Sequence, residues 1–450
     1  MVNRYNQRKR ETDILFELAV IFSLFVALGF PGKLEDLYGE SLGKAMEYGA
    51  FALEITVLML SSGGSWQDIE LIHFDKKYAA MYLFVFSCFG ISMLVTYDSR
   101  LQLITCLRLV VTLLFAIWLQ EKYRLTEILE MFCISQGAFV FATLAFIVIY
   151  PQYAFSDAEG QSHALVGLYQ TKNACGTELD FGIVMTVLLL HEKRKARRPE
   201  MKWWLLLFVQ LILLFLCEAT GALITVAFAI LSIYLFQYAR FPLGLIYITV
   251  NVVFLFCMLA FMPMFEDMLI AMGKDATLTG RIPIWRRVIE VMTANKTMTG
   301  YGYGMFWRDP SALISFQTGF SMRKNPFMAT LTTGAHNVFL EMWLNSGLLG
   351  LAAFFFMVLF SFRDMHALSD EQYRLCLGVM GFLMINGLTE RCLGGNYDYK
   401  VLASFLAMAI GCNAAGSRKR TLMGVRPIGQ AQQEEKGGAY GAGRADPKNE

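Results

Sequence analysis

The 450-residue sequence predicts an all-α polytopic membrane protein, and three observations carry that reading. Hydrophobic residues make up 56% of the chain and charged residues only 17%, less than a soluble domain of this length carries. Mean hydropathy is +0.46. Apolar runs of roughly 16–24 residues recur along the chain, the length that crosses a hydrocarbon core. The net charge of +2 says little as a sum, but its distribution is informative.

Twelve candidate spans are centred near residues 22, 52, 88, 110, 139, 183, 210, 229, 252, 347, 381 and 405. The start "MVNRYNQRKRETDILFELAVIFSLFVALGFPGK" joins a basic head to an apolar stretch. No A-x-A-like cleavage site follows, so it reads as an uncleaved first helix. The stretch "WWLLLFVQLILLFLCEATGALITVAFAILSIYLFQY" could form one long helix, but its length suits two short spans broken at "EATG". The densest basic runs, "NRYNQRKR" and "HEKRKARRPEMK", belong on the cytoplasmic side. With twelve spans they share that side with "DKKY", "EKYR", "FRDMH" and "GSRKR", which places both termini in the cytoplasm. The expected organisation is an N-terminal bundle of about nine spans over residues 1–262, a long outer loop over 263–335, C-terminal transmembrane helices over 336–415, and a disordered cytoplasmic tail over 416–450.

The 9 cysteines lie mostly inside apolar runs and form no C-x-x-C pair, which reads as small buried hydrophobes. Cys175, Cys217 and Cys392 fall near one predicted face, where a disulfide is open to them but nothing in the sequence supports one.

The loop over 263–335 is too long to be structureless without a function. Its segment "RIPIWRRVIEVMTA" spaces Ile284, Val288, Ile289, Val291 and Met292 as an amphipathic helix lying on the membrane or the bundle, with Pro283 in the first turn. The loop carries Lys274, Arg281, Arg286, Arg287, Lys296, Arg308, Arg323 and Lys324, although positive residues are normally depleted on that side. Two readings stay open: headgroup contact by a surface helix, or guanidinium forks around an anionic ligand such as a diphosphate. Downstream, "TGYGYGMFW" alternates glycine with Tyr301 and Tyr303 and lacks the context of a nucleotide loop. Tyr301, Tyr303, Phe306 and Trp307 have two uses open to them, stacking on sugar rings or seating at the interface.

Four segments together resemble the bacterial O-antigen ligase and polymerase superfamily. "TLTGRIPIWRRVIEVMTANKTMTGYGYGMFW" carries T-G-R, I-W and G-x-G, and "AHNVFLEMWLNSGLLGLAAF" carries H-N-x-x-L followed by G-x-x-G. "GLYQTKNACG" resembles a K-N-x-x-G element, and "NGLTERCLGGN" an E-x-x-L segment between the last two spans. The matches cover roughly residues 165–400, and their order is more specific than any one motif. The resemblance implies a GT-C-like glycosyltransferase fold with one long periplasmic loop, in the bacterial inner membrane, with its active site on the periplasmic side. It also implies en bloc transfer of a glycan from undecaprenyl diphosphate to another lipid-linked glycan, as a polymerase does, or to lipid A–core, as a ligase does. The T-L-T-G-R-x-x-I-W form resembles exopolysaccharide polymerases most closely. Two departures stand out. "EATG" replaces an S-R pair of many relatives, leaving Lys172, Arg281 or Arg391 to stand in for that arginine, and Ile282-Pro283 follows Thr-Gly-Arg where Thr-Asp is usual.

Such a transfer needs an acceptor for the attacking hydroxyl's proton and positive charge for the leaving phosphates. His336 and Arg281 are the candidate catalytic residues. His336 has three roles open: general base, acceptor guide or phosphate contact. Lys172, Asn173, Asn337, Arg323, Glu390, Arg391, Tyr301 and Trp285 are the candidate substrate-binding residues. His163, His336, Asp275, Glu390 and Asp398 are joined by no H-x-x-x-H or D-x-D pattern, so a metal-independent reaction without cofactor is expected. Inversion at the anomeric carbon is implied by the resemblance alone. Plainer readings accompany each residue: Asn173, Asn337 and Asn396 as helix caps, Glu390 with Arg391 as a structural pair, Gly347 and Gly350 as helix-packing positions. Expected partners are the lipid-linked glycan donor and acceptor, the bilayer, and flippase and chain-length regulator proteins; no nucleic acid is expected. The competing reading of another class is a polysaccharide-lipid transporter, which should show paired halves and ionisable residues deep in its spans.

Overall fold

Apolar segments that meet lipid must satisfy every backbone group internally, and this chain does so with helices. A computed structural model describes residues 2–29, 38–61, 75–155, 164–169, 171–197, 200–261, 264, 281–322, 334–390 and 398–422. Among them the long helices are α1 (Val2–Ala27), α2 (Glu40–Ser61), α3 (Ala79–Val95), α4 (Ser99–Lys122), α5 (Leu125–Ile149), α6 (Lys172–Lys195), α7 (Met201–Leu216), α8 (Thr220–Phe236), α9 (Leu243–Ala260), α10 (Arg281–Val291), α11 (Pro310–Met322), α12 (Val338–Ser361), α13 (Asp370–Thr389) and α14 (Tyr399–Leu422). The sole β contact among the described residues is an isolated bridge between Phe155 and Leu165.

Each of the twelve expected span centres falls inside one of these helices. Six segments, Lys76–Val95, α4, α5, α6, α9 and α12, are long and apolar enough to cross a membrane. Ile14–Ala27, α7, α8 and Tyr399–Ala414 are shorter apolar helices. The stretch after Trp203 is two helices, with a break at Cys217–Ala219 where Glu218 adopts a left-handed φ of 50°.

Helix α13 is the centre of the bundle. Nearly every side chain from Tyr373 to Gly387 is buried, and α13 packs against α6, α8, α9 and α14. A helix apolar all round belongs in such a position. Helix α6 is 83% buried over its apolar window, whereas α9 is 28% buried and lies at the rim. Helix α6 also carries Glu178 and Asp180 inside the bundle. Glu178 forms an ion pair with Lys400 of α14, which lies 3.4 Å from Asp398, while neither oxygen of the fully buried Asp180 has a hydrogen-bond partner among the described residues.

The amphipathic segment forms α10, and its apolar face turns onto the bundle. Ile282, Trp285, Val288 and Met292 join Phe306, Phe316, Leu340 and Leu344 in a second apolar core under α10 and α11. Arg287 braces this unit by donating to the Ser315 carbonyl at 2.5 Å and the Phe316 carbonyl at 3.2 Å.

Helix α12 is broken at Gly347, whose backbone has φ 65° and ψ −166°. The amides of Leu348 and Leu349 turn away from their own helix to the carbonyls of Thr297 and Met298, at 3.0 and 3.3 Å. The carbonyls they leave behind, on Leu344 and Asn345, accept from Tyr301 and Gly302 at 2.8 and 3.0 Å. The segment 297–302 therefore satisfies the backbone groups that the break exposes, the condition for breaking a helix at membrane depth. A Cβ on Gly347 would lie 2.1 Å from the Met298 carbonyl carbon, and one on Gly300 would lie 2.6 Å from the Leu344 oxygen. Gly347 was expected to serve close packing of helices; it instead lets α12 break and receive the loop.

Candidate functional site

His336 sits one residue before the cap of α12. Asn337 is that cap: its Oδ1 accepts from the amides of Phe339 and Leu340 at 3.0 and 3.1 Å. Such a cap is worth about 1 kcal/mol. The Asn337 side-chain amide donates to the Leu388 carbonyl at 3.2 Å, tying α12 to the end of α13. On the other side of His336, the Ala335 amide donates to Glu341 at 2.7 Å and its carbonyl accepts from the Trp285 indole at 2.9 Å. Trp307 donates to the same Glu341 carboxylate at 3.0 Å. Held from both flanks, His336 adopts a left-handed φ of 48°. For a non-glycine residue that conformation costs about 1–3 kcal/mol and persists only where the surroundings impose it.

Glu390 receives the histidine. It is the C-cap of α13, and its Oε2 lies 3.1 Å from His336 Nδ1. Its Oε1 accepts from Arg281 Nη2 at 2.5 Å, and Arg281 Nε donates to the Thr389 carbonyl at 2.9 Å. Burial pushes the Glu390 carboxyl up, but hydrogen bonding and charge from His336 and Arg281 outweigh it and hold the group below its ordinary value. An ionised carboxylate only accepts, so Nδ1 must carry the proton in this hydrogen bond. In the neutral ring that leaves the lone pair on Nε2, which has no partner among the described residues. The His336 side chain is 33% exposed, more than those of Glu390 at 22% and Arg281 at 16%. Arg281 spends two of its five N–H donors on α13 and keeps three for other acceptors.

Three elements thus bring together His336, Asn337, Glu390 and Arg281 from the expected set. The others stand apart. Trp285 is fully buried, and its indole supports the Ala335 carbonyl, which gives it a place behind His336 and not on an open surface. Tyr301 is half-buried, packs edge-on to Phe306 at 4.9 Å between centroids, and lends its backbone to the break in α12. Tyr303 and Phe306 are buried, so neither ring is open for stacking on a sugar. Lys172 and Asn173 open α6 behind the Thr171 cap. No hydrogen bond or ion pair joins either to His336, Glu390 or Arg281 among the described residues. Arg323 and Arg391 lie outside the described residues, as do His163, Asp275, Cys392, Asn396 and the tail beyond Leu422.

The sequence reading passed over the brace made by Trp307 and Glu341, and over the buried charges Glu178, Asp180 and Lys400. A signal for the latter was present in "TELDFG", two acids at the start of an apolar run, because ionisable residues within spans are expensive. The Trp307–Glu341 contact is set by tertiary structure across 34 positions and leaves no local pattern.

No curated protein matches the chain. Residues 205–355, which include Arg281 and His336 and end before Glu390, match the family model described as O-antigen ligase. That match bears out the similarity of this chain to the O-antigen ligase and polymerase superfamily.

Proposed function

We propose that the chain is an inner-membrane glycosyltransferase that polymerises undecaprenyl-diphosphate-linked oligosaccharide repeat units at the periplasmic face. The family match supports the broad class, a membrane polysaccharide polymerase or ligase. One observation carries the chemistry: Glu390 holds the Nδ1 side of His336 and the guanidinium of Arg281 at once, leaving Nε2 unpartnered among the described residues. In this reading His336 Nε2 takes the proton of the acceptor hydroxyl as that oxygen bonds to the anomeric carbon. The bond from that carbon to the diphosphate oxygen breaks, and the remaining Arg281 donors meet the charge on the leaving group. A single displacement of this kind inverts the anomeric centre and calls for no metal or cofactor. Glu390 is a positioning residue that fixes the tautomer of His336 and the aim of Arg281.

Transfer to lipid A–core is the second reading, favoured by the ligase description of the matching family. A transporter is the reading of another class. Glu54, Arg108, Glu178 and Asp180 are buried within α2, α4 and α6, so the depth of ionisable residues no longer argues against it. The open His336 nitrogen still argues for bond chemistry.

Purified protein given a defined undecaprenyl-diphosphate-linked repeat unit tests all three. Polymerisation predicts a ladder of lipid-linked products and release of undecaprenyl diphosphate. Release only when lipid A–core is added would replace the first reading with the second. No release with either acceptor would remove both.

A further inference from the structure

Glu341 lies buried in the first turn of α12 and grips the chain on both sides of His336. Its own amide donates to the Asn337 carbonyl at 2.9 Å, the ordinary contact of a helix start. Its side chain reaches further back, past the cap and past His336, where Oε2 accepts from the Ala335 amide at 2.7 Å. An extended residue at position 336 would lead the chain away from α12. The left-handed φ of 48° folds it back over the first turn, so the conformation of His336 and the contact between Ala335 and Glu341 come together. The same carboxylate takes the Trp307 indole, at 3.0 Å to Oε1 and 3.3 Å to Oε2.

Trp307 is itself fixed from other directions. It sits in the short turn Phe306–Arg308, with its ring edge-on to Phe306 at 4.8 Å and to Phe316 at 5.2 Å between centroids. The Tyr97 hydroxyl, just past α3, donates to the Arg308 carbonyl at 2.8 Å, and the Gly304 amide donates to Asn345 Oδ1 of α12 at 3.0 Å. Glu341 therefore links a firmly seated turn to the residue before His336. A carboxylate suits the place: both of its oxygens accept, and the first turn of a helix favours negative charge.

We propose that Glu341 is a positioning residue for His336, with Trp307 as its anchor, so that the imidazole is aimed at Glu390 only while the turn Phe306–Arg308 is seated on α12. The inference rests on the catalytic reading of His336 for its effect on turnover, but not for its effect on the ring. Glu341→Gln keeps the shape and removes the pairing. An amide offers one oxygen and an NH2 group that cannot accept, so one of the two N–H groups facing it is left without a partner. A freed Ala335 amide lets His336 relax to a negative φ, which redirects its Cα–Cβ bond and swings the ring from Glu390. Trp307→Phe keeps an aromatic ring against Phe306 and Phe316 and deletes only the indole donor, so it should act in the same direction and more weakly.

Full-length protein in lipid nanodiscs, labelled with 15N-histidine, tests this in two arms. The first reads the ring by NMR at about pH 8, where neutral imidazole dominates, with the His336 signals identified by their loss in His336→Ala. The parent should show one tautomer, protonated at Nδ1, and Glu341→Gln a mixture of both. Unchanged His336 signals in Glu341→Gln overturn the proposal whatever the protein catalyses. The second arm measures turnover of undecaprenyl-diphosphate-linked repeat units per folded molecule. In Glu341→Gln kcat should fall about 10–100-fold with KM unchanged. A residue that serves stability alone would lower the thermal midpoint and leave kcat per folded molecule as it was; that result, beside an inactive His336→Ala, also overturns the proposal. A changed tautomer with full turnover in both Glu341→Gln and His336→Ala would instead remove the catalytic reading and leave the positioning in place. Should Glu341→Gln fail to fold, Trp307→Phe carries both arms with the same outcomes.

Discussion

A hydrogen bond of 3.1 Å joins His336 Nδ1 to Glu390 Oε2 and links the start of α12 to the end of α13. Because Glu390 also grips Arg281, one carboxylate fixes both groups that the proposed transfer asks for. Glu390→Gln separates this from a simple structural role. The amide can present an N–H to Nδ1, which moves the ring proton to Nε2 and removes the base. The turnover number with lipid-linked repeat units should fall about 100-fold or more. Glu390→Asp keeps the charge and should recover part of the loss. A change smaller than tenfold in Glu390→Gln would sink the dyad.

The backbone of His336 gives a second, independent test. Its φ of 48° is costly for histidine and easy for glycine. His336→Gly should therefore match or exceed the parent in thermal stability by up to about 1 kcal/mol, while losing polymer formation. Activity at the parent level in this variant would remove the base from the mechanism. Marked destabilisation would show instead that the ring contact with Glu390 outweighs the backbone strain.

These two residues also show what the sequence could and could not reveal. His336 was visible because a charged or polar residue at the edge of an apolar run has few structural uses, and its neighbour Asn337 announced a helix start. Helix α10 was visible in the spacing of Ile284, Val288 and Met292. Its occupation of the bundle surface was not, because the same spacing suits a membrane surface equally well. Gly347 looked like a packing residue, since the partner that explains it, the Met298 carbonyl, lies 49 positions away and contacts it only in the folded chain. Tyr303 and Trp285 were candidates for substrate contact because the sequence shows an aromatic ring but not what covers it.

Acid should weaken the site in a defined direction. The Glu390 carboxyl is held below its ordinary value of 4.5, so its stabilising contribution is fully present above that value. The contribution drains away as pH falls from there through the lower folded-state value. Thermal midpoints of detergent-solubilised protein should therefore be less sensitive to acid in Glu390→Gln than in the parent over that range. Equal slopes for the two proteins would show that the carboxylate does not couple to folding.

Gly347→Ala should be among the most damaging single substitutions outside the His336 cluster. The added methyl would stand 2.1 Å from the Met298 carbonyl carbon, on a residue whose φ of 65° already disfavours a side chain. The segment 297–302 cannot retreat without freeing the amides of Leu348 and Leu349 and the carbonyls of Leu344 and Asn345. Each buried group left unpaired costs about 1–3 kcal/mol. The loss should also travel, because Leu340 and Leu344 sit in the apolar core under α10, whose first residue is Arg281. Limited proteolysis should cut Gly347→Ala near residues 297–322 much faster than the parent, with membrane insertion retained. Transfer activity should fall with it. Gly90→Ala in α3 serves as the comparison, since a Cβ there meets nothing within 4 Å. Equal protease resistance in Gly347→Ala and the parent would mean that the loop is not held by the break in α12.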